Sequence, residues 1–143
     1  EQALLAVNVT AAADLMKLAA IDMSARGHGR ILNVASSGAF MPGPSMSRYH
    51  ASKSFLLSLS EAAAADLKGT GVTVTALCPG PTDTGFFSAG NVNGALALRV
   101  LPKASAASVA RSGWQAMMAG KAVHIPGVLY KLVAFSMRLT PRF

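Results

Sequence analysis

The 143 residues are 52% hydrophobic and 13% charged, which excludes disorder and coiled coil and supplies enough apolar surface for the core of about one domain. Thirteen Lys and Arg against six Asp and Glu leave a net charge of +7, but the basic residues are scattered and not interleaved with aromatics, so no nucleic-acid partner is expected. The single cysteine, Cys78, cannot form an internal disulfide and fits a reducing compartment, from which a cytoplasmic location is expected. No stretch reads as the roughly 18 apolar residues of a membrane span.

The chain opens at Glu1 directly on a helical pattern, without Met, signal peptide or cap, and reads as a fragment. Leu4, Leu5, Asn8, Ala12, Leu15, Leu18, Ala19 and Met23 recur at three- and four-residue steps, predicting a long helix that ends at the Arg26-Gly27-His28-Gly29 stop. Arg30 to Val34 is a short apolar run that predicts a strand buried on both faces. A Gly/Pro-rich loop follows from Ala35 to Ser47. Arg48 to Lys68, free of Pro and Gly and closed by Gly69-Thr70-Gly71, predicts a second long helix. Val72 to Leu77 is β-branched and predicts a second buried strand.

Two strands, each after a long helix, spell a βαβ pattern and a parallel sheet. The expected fold class is α/β, part of a doubly wound sheet of about three strands with flanking helices, in one partial domain over residues 1–143. Beyond Pro79 the chain is irregular until a helix near Ala104 to Met118, a short strand at Ala122 to Ile125 and a last amphipathic helix. In that helix Val128, Leu132, Phe135 and Leu139 are spaced by four, three and four residues. The loop from Pro79 to Pro102 is long for a compact domain and is a functional-loop candidate.

The sharpest chemical signal is Tyr49-His50-Ala51-Ser52-Lys53. Residues four apart share a helix face, with roughly 6 Å of rise between them at about 1.5 Å per residue, so the phenol and the ammonium can converge. A cation about 4 Å from a phenol at an effective dielectric near 20 favours phenolate by roughly 4 kcal/mol, about three pKa units before desolvation. That shift suits general acid/base work. Thirteen residues earlier, the first strand ends at Asn33-Val34-Ala35-Ser36-Ser37, and ligands of parallel α/β sheets bind at the carboxyl ends of strands. Ser36 can there donate to a carbonyl oxygen as charge develops on it. The second strand ends in Cys78-Pro79-Gly80-Pro81-Thr82-Asp83-Thr84, where Gly80 permits close backbone approach and Thr82 and Thr84 offer hydroxyls.

Taken in order, these three elements resemble the C-terminal part of a short-chain dehydrogenase/reductase. The resemblance implies NAD(P)-dependent hydride transfer with a small carbonyl or alcohol substrate, without a metal. It makes Tyr49 the proton donor or acceptor, Ser36 the residue that orients the substrate oxygen, and Lys53 the residue that tunes the tyrosine and binds the nicotinamide ribose. Asn8, within Val7-Asn8-Val9-Thr10, matches the fourth catalytic position, which holds a proton-relay water through the helix backbone. Pro79, Gly80, Thr82 and Thr84 match the turn that holds the nicotinamide carboxamide, so Tyr49, Lys53 and this turn are the expected cofactor contacts. Ser37, at a spacing of twelve, is the lesser alternative to Ser36. The resemblance is closest from Asn8 to Phe86. It also implies a homo-oligomer built through the helices spanning Leu4 to Ala25 and Arg48 to Lys68.

The family's Thr-Gly-x-x-x-Gly-x-Gly loop and Asn-Asn-Ala-Gly strand end do not occur in these residues. About 100 residues carrying them, and with them the choice between NAD and NADP, are expected ahead of Glu1, so this segment by itself is expected to bind the cofactor weakly or not at all. A catalytically silent interaction module is the alternative reading. His28, His50 and His124 lack metal-ligand spacing. Cys78 reads as a small buried hydrophobe, and Asp83 as a turn residue. Met41, Met46 and Phe86-Phe87 are candidates for an apolar substrate pocket. Val128 to Phe143, apolar with a basic flank, has the make-up of a helix at a membrane interface, although packing on the domain or between subunits is the favoured explanation.

Overall fold

The computed structural model describes residues 2–84 and 103–139. Helix α1 runs over Gln2–Ala25 and is interrupted by a π-helical turn at Ala6–Ala11. Strand β1 (Gly29–Val34) leads through a 3-10 turn at Ser37–Phe40 into α2 (Ser47–Asp66), and β2 (Val72–Leu77) follows. Two-residue strands β3 (Thr82–Asp83) and β4 (Ala104–Ser105) precede α3 (Ala106–Met118), β5 (Val123–His124) and α4 (Val128–Leu139). Strand order in the main sheet is β1-β2-β5, all parallel, with α2 as the crossover that parallel neighbours require.

The central strand β2 is buried from Val74 to Leu77, which explains its continuous apolar and β-branched run. Met16 of α1 packs with Ile31, Val72 and Val74, and Ala19, Met23, Leu59 and Ala63 lie around them. A second cluster joins Ala35, Ala39, Leu57, Ala76 and Cys78, with Val123 and Ile125 against it. Asn33 crosses from the sheet to both long helices, donating its amide N–H to Ser60 Oγ at 2.9 Å and to Met16 Sδ at 3.1 Å. A polar group placed between helices and sheet is thereby satisfied, which avoids the desolvation penalty of an orphaned amide.

Both long helices end where glycine was expected, and the two endings touch. Gly27 adopts φ +73° and Gly71 φ +82°, the left-handed region that glycine enters without a steric penalty. A Cβ at Gly71 would fall 1.8 Å from the Gly27 carbonyl oxygen, and the Gly29 N–H donates to the Gly71 carbonyl at 3.3 Å. This contact sets the amino ends of β1 and β2 side by side.

The parallel sheet, its three strands and the flanking helices follow the sequence pattern, with element ends moved by one to three residues. The β3–β4 pair (Thr82↔Ala104, Asp83↔Ser105) was not foreseen, because two residues carry no periodicity. Among the described residues, the 24-residue helix α1 is long and apolar enough to cross a membrane by length and composition, which corrects the sequence expectation. Its alanines raise its apolarity although Asp14, Lys17 and Asp22 interrupt it, and Met16 ties it to the sheet. Most of the loop candidate between Pro79 and Pro102, with Phe86 and Phe87, lies outside the described residues.

The glycine contact separates two penalties. Gly69 has φ +88° with nothing within 4 Å of a built Cβ, so Gly69→Ala should lower stability in urea by about 1 kcal/mol through backbone strain alone. Gly71→Ala adds a collision with backbone and should cost about 2 kcal/mol or more. Equal urea midpoints for the two variants would show that the Gly27–Gly71 contact is not tight.

Candidate active site

Pairing of β1 with β2 runs in unbroken register from Gly29↔Val72 to Val34↔Leu77, so the two strands finish level. Pairing continues past the strands: Ala35 N–H donates to Leu77 O and Ser37 N–H to Pro79 O, each at 2.8 Å. Ser36 is therefore held beside the Cys78-Pro79-Gly80 turn. Next to it, Cys78 N–H donates to His124 O at 2.8 Å, drawing β5 to the same level.

Ser36 caps the 3-10 turn, its Oγ accepting the Gly38 N–H at 3.1 Å from an extended backbone (φ −166°, ψ 156°). A hydroxyl that accepts in this way keeps its proton to donate. Ser37 lies one residue further, inside the turn, with its N–H committed to Pro79 O. Tyr49 and Lys53 share one face of the first turns of α2, as their spacing predicts. The Lys53 ammonium lies 5.9 Å from the Tyr49 ring centroid and donates to Val34 O at 2.8 Å, the last residue of β1. Helix α2 is thus fastened to the strand end. Burial holds the Lys53 pKa below the usual lysine range, and the nearby Cys78 opposes that shift weakly.

Asn8 sits within the π-helical turn, which interrupts the regular i to i+4 ladder there. Its amide N–H donates to Ser52 Oγ at 3.2 Å, and Ser52 Oγ donates to Tyr49 O at 2.8 Å. Ser52 is 1% exposed. The Asn8 side chain is thus occupied in tying α1 to the tyrosine's turn of helix. Ser52 escaped the sequence reading because serine inside an Ala- and Leu-rich helix resembles a surface residue. Its one signal is its position three residues after Tyr49, on the side facing α1.

At the end of β2, the Thr82 hydroxyl donates to Gly80 O at 3.0 Å, and Ala104 N–H donates to Pro81 O at 3.0 Å, so β4 fastens the turn. Thr82 is half-buried, and Asp83 and Thr84 are exposed. Gly80 has a reason for being glycine that the sequence did not reveal: a Cβ there would meet the Tyr130 ring of α4 at 2.6 Å. The close neighbour shown is therefore a side chain of this chain, where a ligand had been expected.

Histidine roles are structural. His50 Nδ1–H donates to Met41 O at 3.0 Å, and its ring fills the space a Cβ at Gly43 would need. His124 Nε2 and Ser112 Oγ are 2.5 Å apart, and burial with Lys121 and Lys131 nearby holds His124 below the usual histidine range. Among the described residues no group of three or more His, Cys, Asp or Glu could hold a metal ion. Met46 lines a cavity of about 200 Å³ with Leu4, Arg48 and Tyr49, and Met41 is half-buried nearby. Cys78 is fully buried, as expected of a small hydrophobe, and desolvation pushes its thiol up to about 12.

The residues present fit the nicotinamide half of a dinucleotide. Lys53 has spent one of three N–H groups on Val34 O at the end of β1, leaving two for ribose hydroxyls, and the Thr82–Thr84 turn follows the level end of the neighbouring strand β2. No glycine-rich phosphate loop occurs in the sequence, so the pyrophosphate half has no recognisable cradle here.

Level parallel strands, a polar cluster at their carboxyl ends and crossover helices define a nucleotide-type α/β domain. The short chain dehydrogenase family model matches residues 2–93, and the chain belongs to that family. The uncharacterized oxidoreductase YvrD of Bacillus subtilis is 44% identical over 78 residues, 54% of this chain and 30% of that protein. Dehydrogenase/reductase SDR family member 4 of Bos taurus is 41% identical over 83 residues, 58% of this chain and 30% of that protein. Among solved structures, a short-chain dehydrogenase from Sphingobium yanoikuyae in complex with NADPH superimposes with TM-score 0.76 at 23% identity, over 97% of this chain and 56% of that one. A short-chain dehydrogenase from Burkholderia cenocepacia in complex with NADP gives TM-score 0.76 at 26% identity, over 92% and 52%. The chain thus spans about 30% of the curated relatives and a little over half of the solved ones.

With its thiol raised to about 12, Cys78 should resist iodoacetamide at pH 8 in the folded chain and react at the rate of a free thiol in urea. A folded-state pKa above the unfolded one stabilises the fold below the unfolded value and is lost as pH rises toward 12. Part of the alkaline loss of stability should therefore disappear in Cys78→Ala. Labelling of the native chain at the free-thiol rate would contradict the burial.

Proposed function

We propose that the protein carrying this chain is an NAD(P)-dependent oxidoreductase that exchanges a hydride between a nicotinamide cofactor and a small carbonyl or alcohol substrate, with Tyr49 as general acid/base. The observation that carries the reading is the Lys53 ammonium, held by Val34 O at the end of β1 and 5.9 Å from the Tyr49 ring centroid. NADPH and NADP in the similar solved structures support a nicotinamide cofactor.

The cofactor supplies the hydride, and the chain's own groups handle the oxygen. In the reductive direction the Tyr49 phenol gives its proton to the oxygen as the carbonyl carbon is reduced; in the oxidative direction it takes that proton back. Ser36, its oxygen already engaged by Gly38 N–H, donates its own proton to the same oxygen and stabilises the charge that develops there. Lys53 places positive charge near the Tyr49 ring and offers N–H groups to the ribose. Asn8, through the π-helical turn, serves the proton path between Lys53 and solvent. Pro79, Gly80, Thr82 and Thr84 frame the nicotinamide.

The described elements form one part of a single domain, completed by a preceding cofactor-binding unit. The exposed apolar side of α1, including Leu15, Leu18 and Ile21, suits packing against a second copy and supports a homo-oligomer. A buried, unpaired thiol accords with a reducing, cytoplasmic setting.

The test is NADPH oxidation by the protein carrying this chain, with the α-dicarbonyl phenanthrenequinone as probe. Tyr49→Phe should lower kcat/KM about a hundredfold or more with unchanged circular dichroism. Equal turnover in both proteins would overturn the assignment of Tyr49. Absence of turnover in the unsubstituted protein across a panel of ketones and alcohols, with NADH as well as NADPH, would favour the silent interaction module.

A further inference from the structure

The net charge of the chain is distributed unevenly. Residues 1–83 hold six Lys and Arg and six Asp and Glu, which cancel, whereas residues 84–143 hold seven Lys and Arg and no acidic residue. All of the +7 therefore resides in the last 60 residues. Such asymmetry points to an anionic partner for that part of the chain.

The same region carries an apolar face turned away from the described core. Helix α4 seats Tyr130 and Ala134 in the core at 9% and 5% exposure. Its other side presents Val128, Leu132, Phe135 and Leu139, exposed by 72%, 61%, 63% and 71%. Steps of four, three and four place these four in one stripe along the helix. Packing on the domain, the explanation favoured from sequence, thus accounts for the Tyr130 side of α4 and leaves the stripe uncovered. Lys131, beside the stripe, is exposed, and Arg138 and Arg142 add cations in the same stretch of sequence.

We propose that α4 docks on an anionic lipid bilayer, with the Val128, Leu132, Phe135 and Leu139 stripe entering the headgroup boundary and Lys131, together with the basic residues that follow it in sequence, held by acidic headgroups. A helix of 12 residues is too short to span a bilayer and suited to lying in its surface. Apolar burial and polybasic attraction together give the two signals that stable interfacial binding needs. A second copy of this chain is a poorer occupant, because a two-fold contact through α4 would set its basic residues, Lys131 and Arg138, against their copies with no acidic residue in the helix to offset them. A nucleic acid would match the charge but not a stripe that holds a single aromatic, Phe135. The apolar side of α1 lacks this pairing of features, since Asp14, Lys17, Asp22 and Arg26 balance there.

The experiment is flotation of the protein carrying this chain with vesicles of phosphatidylcholine alone and with about three-tenths phosphatidylserine. The chain should float with the serine-containing vesicles and stay behind with phosphatidylcholine. Raising the salt to about 0.5 M should release most of it, as screening of surface charge demands. The double substitution Leu132→Glu and Phe135→Glu alters exposed positions and should reduce the bound fraction at least tenfold with unchanged circular dichroism. The control Leu15→Glu with Leu18→Glu, on exposed positions of α1, should leave binding intact. Failure to float, equal binding to both vesicle types, or equal loss in the α1 control would overturn the proposal. So would sedimentation as a dimer that only the α4 substitutions dissolve, in the absence of vesicle binding.

Discussion

The whole arrangement depends on the in-register pairing of β1 with β2. Because Gly29 faces Val72 and Val34 faces Leu77, both strands end together, and the backbone bonds that continue to Ala35 and Ser37 carry the level past the sheet. A slip of one residue would turn Ile31 out of its packing with Met16 and Val74, so the core enforces the register. The site is a consequence of that enforcement. Ser36, Lys53 and the Pro79-Gly80 turn converge because strand ends, not their own interactions, bring them to one place.

Two further restraints turn convergence into definite geometry. The Lys53 ammonium is bonded to the terminal carbonyl of β1, which fixes the start of α2 against the strand that delivers Ser36. Ser52 joins the Tyr49 carbonyl to Asn8, so the π-helical turn of α1 and the tyrosine's turn of α2 move as a unit. Ser52 is 1% exposed, so breaking its bonds would leave its hydroxyl without water or partner, which holds that link in position. A tyrosine and a lysine that merely shared a helix face would lack both restraints.

Much of this was legible in the residues. Periodicity, glycine stops and β-branched runs predict the extents of α1, β1, α2 and β2 closely, but not the burial of β1: expected to be covered on both faces, it has only Ile31 buried because it forms the edge of the described sheet. Tyr49, Lys53, Ser36 and the Pro79 to Thr84 turn stand out because their residue types fall at strand and helix ends. What stayed hidden depends on neighbours distant in sequence. Ser52 gains meaning only from Asn8, 44 residues away; Asn33 from Met16 and Ser60; Gly80 from the ring of Tyr130. The membrane-like apolarity of α1 comes largely from small alanines interrupted by charges, which do not read as a continuous apolar run.

The central claim is that the carboxyl ends of β1 and β2 form the nicotinamide half of a dinucleotide site. Titration of the isotope-labelled protein carrying this chain with reduced nicotinamide mononucleotide, followed by NMR, tests it directly. The account predicts weak, saturable shifts at Ser36, Tyr49, Lys53, Thr82 and Thr84, with none at Gly69 to Gly71 on the opposite end of the strands. Shifts centred on that opposite end, or none at all at millimolar ligand, would contradict it.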